Sequence, residues 1–217
     1  MNNTVSIANF RNPKGTDSGA LVSNYADLMG SKIIIITSKS HEYFHNFNYG
    51  NIDWRKNLQD IHWLIISSTT VLEGLSPKNA WAASMTFGEL EGSKTVMIVD
   101  VPKDITLLSE MWGAVIGKIK QINILFMTTE AIKYIAKLEN IEMNNLLNNI
   151  RIKGIVPIVC TYDEKSKEAT IVHSRGSLNV TLESNIPYQK WIANFLNMLP
   201  LQSLDNEGIY IAAKYSD

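Results

Sequence analysis

The segment His41-Glu42-Tyr43-Phe44-His45 has the H-E-x-x-H spacing of zinc hydrolases. On an α-helix this spacing places both imidazoles on one face, where they bind zinc while the glutamate acts as a general base. A third ligand is needed, and no histidine follows His45 at a suitable distance. The asparagines and the glycine between Asn46 and Asn51 also disfavour a helix there. A zinc protease is therefore the least favoured hypothesis, and a solvated loop or a strand pair that carries two histidines is the alternative.

A second group of polar residues, Asp100, Lys103 and Asp104, follows the apolar run Thr95–Val99. The carboxyl end of a strand is where open α/β sheets bind ligands. The two carboxylates could therefore contact a ligand, and Lys103 could meet a carboxylate or a phosphate. The alternatives are that Asp104 caps the following helix and that Lys103 is solvated.

The elements that would position these residues follow an alternating pattern. Short runs rich in β-branched residues recur between longer amphipathic stretches, which predicts an α/β fold: a mostly parallel sheet with helices on both faces. Strands are predicted at residues 32–37, 63–67, 95–99, 122–126 and 155–161, with a later, antiparallel pair at 169–173 and 178–182. Helices are predicted at residues 19–29, 77–90, 107–120, 128–138, 143–150, 188–198 and 204–215, with Ser76 as the N-cap of the second.

Length and composition limit the possible classes of protein. A chain of 217 residues that is 45% hydrophobic can bury one core, so we expect a single domain over residues 1–217. The 20 basic and 21 acidic residues nearly balance, which argues against nucleic acid and anionic membranes as partners. The single cysteine, Cys160, excludes an internal disulfide. No signal-peptide pattern or membrane-length apolar run is visible, so we expect a cytoplasmic protein.

An ordered series of segments resembles one known family. In chain order these segments are Ile52-Asp53-Trp54, Asp60-Ile61-His62-Trp63-Leu64-Ile65-Ile66-Ser67, Leu75-Ser76-Pro77, Thr95-Val96-Met97-Ile98-Val99-Asp100, Met111-Trp112, Asn123-Ile124-Leu125-Phe126 and Glu130-Ala131. Their order and spacing are similar to those of the PfkB/ribokinase-like carbohydrate kinases, especially the 2-keto-3-deoxygluconate kinase branch. The resemblance covers roughly residues 50–215 and implies a ribokinase-like fold.

The resemblance also implies that the catalytic base is missing. The family carries Gly-Ala-Gly-Asp at the start of a helix, where backbone amides stabilise the phosphate charge and the Asp takes a proton from the sugar hydroxyl. The corresponding segment here is Ile186-Pro187-Tyr188-Gln189. Gln189 stands at the position of the base, and a neutral carboxamide cannot accept a proton near pH 7. Ile186 and Tyr188 replace glycines that let the backbone approach a phosphate.

Other family positions are changed as well. The Asn-x-x-Glu element that organises Mg²⁺ resembles Met127-Thr128-Thr129-Glu130, which keeps Glu130 and lacks the Asn. The Thr-Leu-Gly turn beside the nucleotide resembles Thr161-Tyr162-Asp163, with an acidic side chain that would repel ATP. The Gly-Gly-Asp-x-x-Asn element that binds sugar hydroxyls resembles residues 15–20, keeping Asp17 and replacing the Asn by Ala20.

The resemblance implies a degenerate or truncated sugar-acid kinase. Little separates Gly30 from Asp53, where relatives carry more strands and a lid over the sugar, so we expect the lid to be reduced or absent. A surviving reaction would transfer the γ-phosphoryl group of ATP to a sugar hydroxyl. Mg²⁺ would lie near Glu130, and Asp17 and the loop from Asp100 to Asp104 would contact the sugar. The alternative is a non-catalytic ligand-binding or scaffold protein on the same fold, whose oligomeric state the sequence does not predict.

Overall fold

The chain forms an eight-stranded sheet with helices on both faces, as described by a computed structural model for residues 4–41 and 43–215. The strands are β1 (Ser6–Phe10), β2 (Lys32–Ile36), β3 (Trp63–Ser67), β4 (Lys94–Val99), β5 (Ile124–Met127), β6 (Ile158–Asp163), β7 (Glu168–His173) and β8 (Gly176–Thr181). The helices are α1 (Ser18–Leu28), α2 (Trp54–Leu58), α3 (Leu75–Glu91), α4 (Leu108–Gly117), α5 (Thr129–Leu138), α6 (Met143–Gly154), α7 (Tyr188–Met198) and α8 (Asn206–Lys214).

The strand order is β2-β1-β3-β4-β5-β6-β7-β8. The first six strands in this order are parallel, and β7 and β8 add an antiparallel hairpin beside β6. The predicted α/β class, the mostly parallel sheet and the antiparallel late pair are therefore confirmed. The chain order reverses between β1 and β3, which is the kind of position where α/β sheets form a ligand crevice.

Apolar side chains from both faces of the sheet form two cores. One core packs the sheet against the helices from α2 to α6, and Trp81, Met97 and Trp112 belong to it. The other packs the sheet against α1, α7 and α8, and Trp191 and Phe126 belong to it. Because both faces are covered, β3 and β5 are buried along their whole length, which explains why their sequences are continuously apolar.

Strand β1 was missed by the sequence analysis, although it pairs with both β2 and β3. The run Ser6-Ile7-Ala8-Asn9-Phe10 contains two polar residues that interrupt an apolar pattern. Both are buried and have partners in the fold. Ser6 Oγ donates to the Asp60 carbonyl, and Asn9 Nδ2 donates to the Gly19 carbonyl. Tertiary hydrogen bonds therefore make this polar strand possible.

Several predicted boundaries also shift, including the start of one strand and the N-cap of α3. The strand predicted at 155–161 begins at Ile158, because Ile155 adopts a left-handed conformation with φ 56° after α6 and Pro157 lacks an amide hydrogen. The N-cap of α3 is Gly74, with φ 128°, and not Ser76. Between β2 and β3 the described residues form a 3₁₀ turn and α2, and no strand. No helix in the described part of the chain has the length and apolar character needed to span a membrane.

Candidate functional site

A cavity of about 950 Å³ lies at the carboxyl ends of the parallel strands. It is lined by the segments that follow β1, β3, β4, β5 and β6, together with Tyr188 at the start of α7. These segments meet because parallel strands end at the same edge of a sheet. The cavity therefore lies where an α/β sheet of this topology is expected to bind a ligand.

Asp17 is held in place between β1 and α1. It is the N-cap of α1, and its Oδ1 accepts a hydrogen bond from the Ala20 amide at 3.1 Å. Ser67, the last residue of β3, donates its hydroxyl to the same oxygen at 2.5 Å and accepts from the Gly19 amide at 3.1 Å. The second carboxylate oxygen of Asp17 forms no hydrogen bond among the described residues, so it can accept one from a ligand hydroxyl.

Asp100 lies deeper in the cavity, directly after β4. The Tyr188 hydroxyl donates to Asp100 Oδ1 at 3.2 Å, and the same hydroxyl lies 2.6 Å from Ser18 Oγ. Burial raises the pKa of Asp100, hydrogen bonding from Ser18 and Tyr188 opposes this rise, and the charges of Asp17 and Glu130 add to it. Burial and the nearby Asp100 charge also raise the pKa of Tyr188, so its hydroxyl is a neutral donor.

The amino end of α7 is closed by a carboxylate of the chain itself. Glu164 lies in the turn between β6 and β7, and its Oε1 accepts a hydrogen bond from the Tyr188 amide at 2.8 Å. Tyr188 is the first residue of α7, and Pro187 before it has no amide hydrogen to offer. A helix N-terminus attracts anions through its free amides and its dipole. At α7 this anion position is occupied by Glu164.

Five of the residues predicted as site residues line this cavity together: Asp17, Asp100, Lys103, Asp104 and Glu130. Lys103, Asp104 and Glu130 are exposed at its rim. Asp104 also caps the 3₁₀ turn at residues 105–107, where its Oδ1 accepts from the Thr106 amide and hydroxyl at 3.0 and 2.7 Å. These two hydrogen bonds lower the pKa of Asp104.

The other two predicted residues, Thr161 and Gln189, are not among the described residues that line the cavity. Thr161 is buried in β6, and its hydroxyl has no hydrogen-bond partner in the described part of the chain. Gln189 is the second residue of α7 and is half-buried. Tyr188, its neighbour, is the residue of this helix that faces the cavity.

The histidine motif does not form a helix. Residues 43–46 adopt turns, and Glu42 lies outside the described residues. His41 lines the cavity with its Nδ1 2.5 Å from Asn12 Oδ1, whereas the His45 Nδ1 contacts the Glu73 carbonyl. Within the described ranges no three His, Cys, Asp or Glu side chains lie close enough to hold a metal ion.

Sequence reasoning missed several members of the site. Ser18, Ser67 and Glu164 were not predicted as site residues, because a serine or a glutamate in a turn belongs to no distinctive sequence motif. Each acts through a partner far along the chain: Ser67 lies 50 residues from Asp17, and Ser18 lies 170 residues from Tyr188. Only the antiparallel β6–β7 hairpin brings Glu164 to α7, and a local pattern could not have indicated that contact.

Comparison with known proteins identifies the fold of the chain but no relative that is similar in sequence. No family model and no curated protein matches the chain. Solved structures do. The structure of a fructokinase with bound ATP from Xylella fastidiosa is similar over 97% of this chain and 89% of the fructokinase chain, with a TM-score of 0.77 and 8% sequence identity. The 2-dehydro-3-deoxygluconokinase of Thermotoga maritima covers 98% and 90%, with a TM-score of 0.68 and 10% identity.

A third structure, the aminoimidazole riboside kinase of Salmonella enterica, covers 97% of this chain and 90% of its own, with a TM-score of 0.70 and 9% identity. The chain therefore has the ribokinase-like α/β fold that these carbohydrate and nucleoside kinases share.

Proposed function

We propose that this chain is a PfkB-type sugar kinase homologue that keeps a sugar-binding cavity and has lost efficient phosphoryl transfer. The contact between Glu164 and the Tyr188 amide is the observation that carries the proposal. In the resembled kinases this helix start holds the migrating phosphoryl group. Here a carboxylate of the chain occupies it, and Gln189 follows where the family has its base. Two requirements of the reaction fail at one position.

ATP does not fit the charge of the residues present. Among the described lining residues, seven carboxylates face three lysines, so the cavity opposes a polyanion. Glu130, the carboxylate expected near Mg²⁺, is exposed, and Met127 stands where the family has the asparagine that accompanies it. The fructokinases of Xylella fastidiosa and Vibrio cholerae were solved with ATP or ADP bound. In this chain the family resemblance puts Gln189 at the position of the base and Asp163 beside the nucleotide, and neither residue favours phosphoryl transfer from ATP.

A neutral or weakly charged sugar fits the cavity better. Asp17 and Asp100 offer oxygen acceptors, and Ser18 and Tyr188 offer hydroxyls, which together match the donors and acceptors of a polyol. The volume of about 950 Å³ exceeds what a single monosaccharide needs. The Vibrio cholerae fructokinase was solved with fructose, which makes fructose a suitable first probe.

Calorimetric titration with fructose and with 2-dehydro-3-deoxygluconate tests the proposal. We expect wild-type protein to bind one of these sugars and the D17N variant to bind it about tenfold more weakly, since it loses a charge-assisted hydrogen bond. Asparagine is also a good N-cap, so α1 should remain intact. D205N is the matched control, because Asp205 caps the distant helix α8. Binding of neither sugar would contradict the proposal and favour a scaffold role.

A further inference from the structure

A separate cavity of about 490 Å³ lies between α6 and the β7–β8 hairpin. His173, the last residue of β7, pairs with Ile158 at the start of β6. This cavity is therefore at the amino ends of the parallel strands, on the edge of the sheet opposite to the sugar cavity. The two cavities share no lining residue.

The walls of this cavity are polar. Thr170 and Asn179 are directly opposite in the β7–β8 pair, so their side chains project from the same face of the hairpin. Asn144, Asn148 and Arg151 of α6 supply the facing wall, and the last two lie close to one turn apart. Amide and hydroxyl groups thus surround one guanidinium group.

The charge in this cavity is positive. None of its described lining residues is acidic, and Arg151 forms no salt bridge within the described part of the chain. Arg175, in the hairpin turn, adds a second positive charge nearby. Burial lowers the pKa of His173, and the charges of Arg151 and Arg175 lower it further. Both cations are therefore close enough to act on the His173 ring.

His173 also lacks a partner. The residue is 3% exposed, and neither ring nitrogen has a hydrogen-bond partner among the described residues. Buried polar groups in proteins are nearly always hydrogen-bonded, so an unpaired imidazole beside an unpaired guanidinium indicates that a partner is missing.

We propose that this cavity binds a small polyol that carries an oxyanion, such as a sugar phosphate or a sugar acid. A guanidinium group pairs with phosphate or carboxylate through two parallel hydrogen bonds, which makes Arg151 the anchor. The asparagine side chains both donate and accept, as the hydroxyl groups of a polyol require. Leu147 and Val172 give too little apolar surface for an aromatic base. The proposal does not depend on the function proposed for the sugar cavity.

Calorimetry with three probes tests the site: glucose 6-phosphate, gluconate and glucose. We expect binding of at least one of the two anions and much weaker binding of glucose. The anion that binds identifies phosphate or carboxylate as the preferred group. R151Q should weaken this binding about tenfold or more. K153Q is the matched control, because it removes a charge from the same helix at an exposed residue outside the cavity lining.

K103Q distinguishes binding in this cavity from binding in the sugar cavity, which Lys103 lines. Binding that K103Q weakens and R151Q leaves unchanged would overturn the proposal. Equally strong binding of glucose that R151Q also weakens, or no binding of either anion, would overturn it as well. As a second measurement, NMR titration of the His173 ring should show its pKa rising when the anion binds, since the anion offsets the charge of Arg151. An unchanged titration in saturated protein would also overturn the proposal.

Discussion

The backbone amide of Tyr188 donates to the carboxylate of Glu164 across 2.8 Å, which joins the start of α7 to the β6–β7 turn. This contact gives the helix N-terminus an internal anion. A phosphate that binds the Tyr188 amide must displace Glu164 from it. The hydroxyl of the same residue extends into the cavity and donates to Asp100, so Tyr188 both receives the Glu164 carboxylate at its amide and narrows the cavity with its side chain.

Removing the carboxylate of Glu164 should expose the anion position. We expect E164A to lose about 1 kcal/mol of stability in chemical denaturation, as when a helix loses its N-terminal hydrogen bond. We also expect sulfate to raise the melting temperature of E164A more than that of wild type. E142A is the control, because Glu142 is the N-cap of α6 but, among the described residues, its carboxylate accepts only from the Asn145 side chain and from no backbone amide of that helix. Equal sulfate responses in wild type and E164A would show that Glu164 does not block the position.

Asp100 and Asp104 should respond to pH in opposite directions. The folded-state pKa of Asp100 is raised above its ordinary value of 3.8, so ionised Asp100 destabilises the fold. That destabilisation is absent below the unfolded pKa, grows as pH rises and is complete above the folded pKa. D100N should therefore be more stable than wild type at neutral pH, with the difference vanishing in acid.

The folded-state pKa of Asp104 is lowered from the same ordinary value. Its stabilising contribution is present above the unfolded pKa and is lost as pH falls through the folded pKa. D104N should therefore be less stable than wild type near pH 7, with the difference disappearing in acid. Thermal denaturation from pH 3 to pH 8 measures both variants. Parallel pH profiles for the two would contradict the assigned environments.

The Tyr188 hydroxyl should hold down the pKa of Asp100. Y188F removes a hydrogen bond that opposes the effect of burial, so the pKa of Asp100 should rise further. The loss of one hydrogen bond should also cost about 1 kcal/mol of stability. Carboxyl-carbon NMR titration follows Asp100 directly. Y25F is the control, since the Tyr25 hydroxyl forms no hydrogen bond in the described part of the chain; a change in Asp100 of the same size there would refute the role of Tyr188.

Gly19 should be required for the position of Asp17. A Cβ atom at Gly19 would lie 2.7 Å from Ser67 Oγ and 3.1 Å from Asp17 Oδ1, which are hydrogen-bonded to each other. G19A should lose about 1–3 kcal/mol of stability through this overlap and weaken sugar binding. Gly113 in α4 has no atom within 4 Å of such a Cβ, so G113A should gain about 0.4–1 kcal/mol. Equal effects of the two changes on denaturation would contradict this packing.

The strands that are buried on both faces were predictable from sequence. The sequences of β3 and β4 are almost continuously apolar, which is typical of parallel strands that are covered by helices on both faces. Strand β1 was not predictable, because the buried Asn9 donates its side-chain amide to the Gly19 carbonyl, a partner that local patterns do not reveal. The fold class could therefore be predicted from hydrophobic patterning, whereas β1, an interior strand next to the edge of the sheet, depends on tertiary hydrogen bonding.

The candidate site was predictable to the extent that its residues follow strands. Asp17 and Asp100 were identified through the resemblance and through their positions after predicted elements, and both line the cavity. Glu164 was not, since its role exists only when the β6–β7 turn folds over α7. That Gln189 replaces the family's base stays a prediction of the resemblance. The sequence did not indicate that the Glu164 carboxylate accepts from the amide of the neighbouring Tyr188.

The most direct measurement is ATP consumption by the purified protein with Mg²⁺ and fructose or 2-dehydro-3-deoxygluconate. We predict no sugar-dependent turnover above the rate without protein, and no recovery in Q189D, because Glu164 still occupies the start of α7 in that variant. Sugar-dependent turnover by the wild-type protein at the rate typical of kinases, about 1–100 s⁻¹, would contradict the loss of phosphoryl transfer.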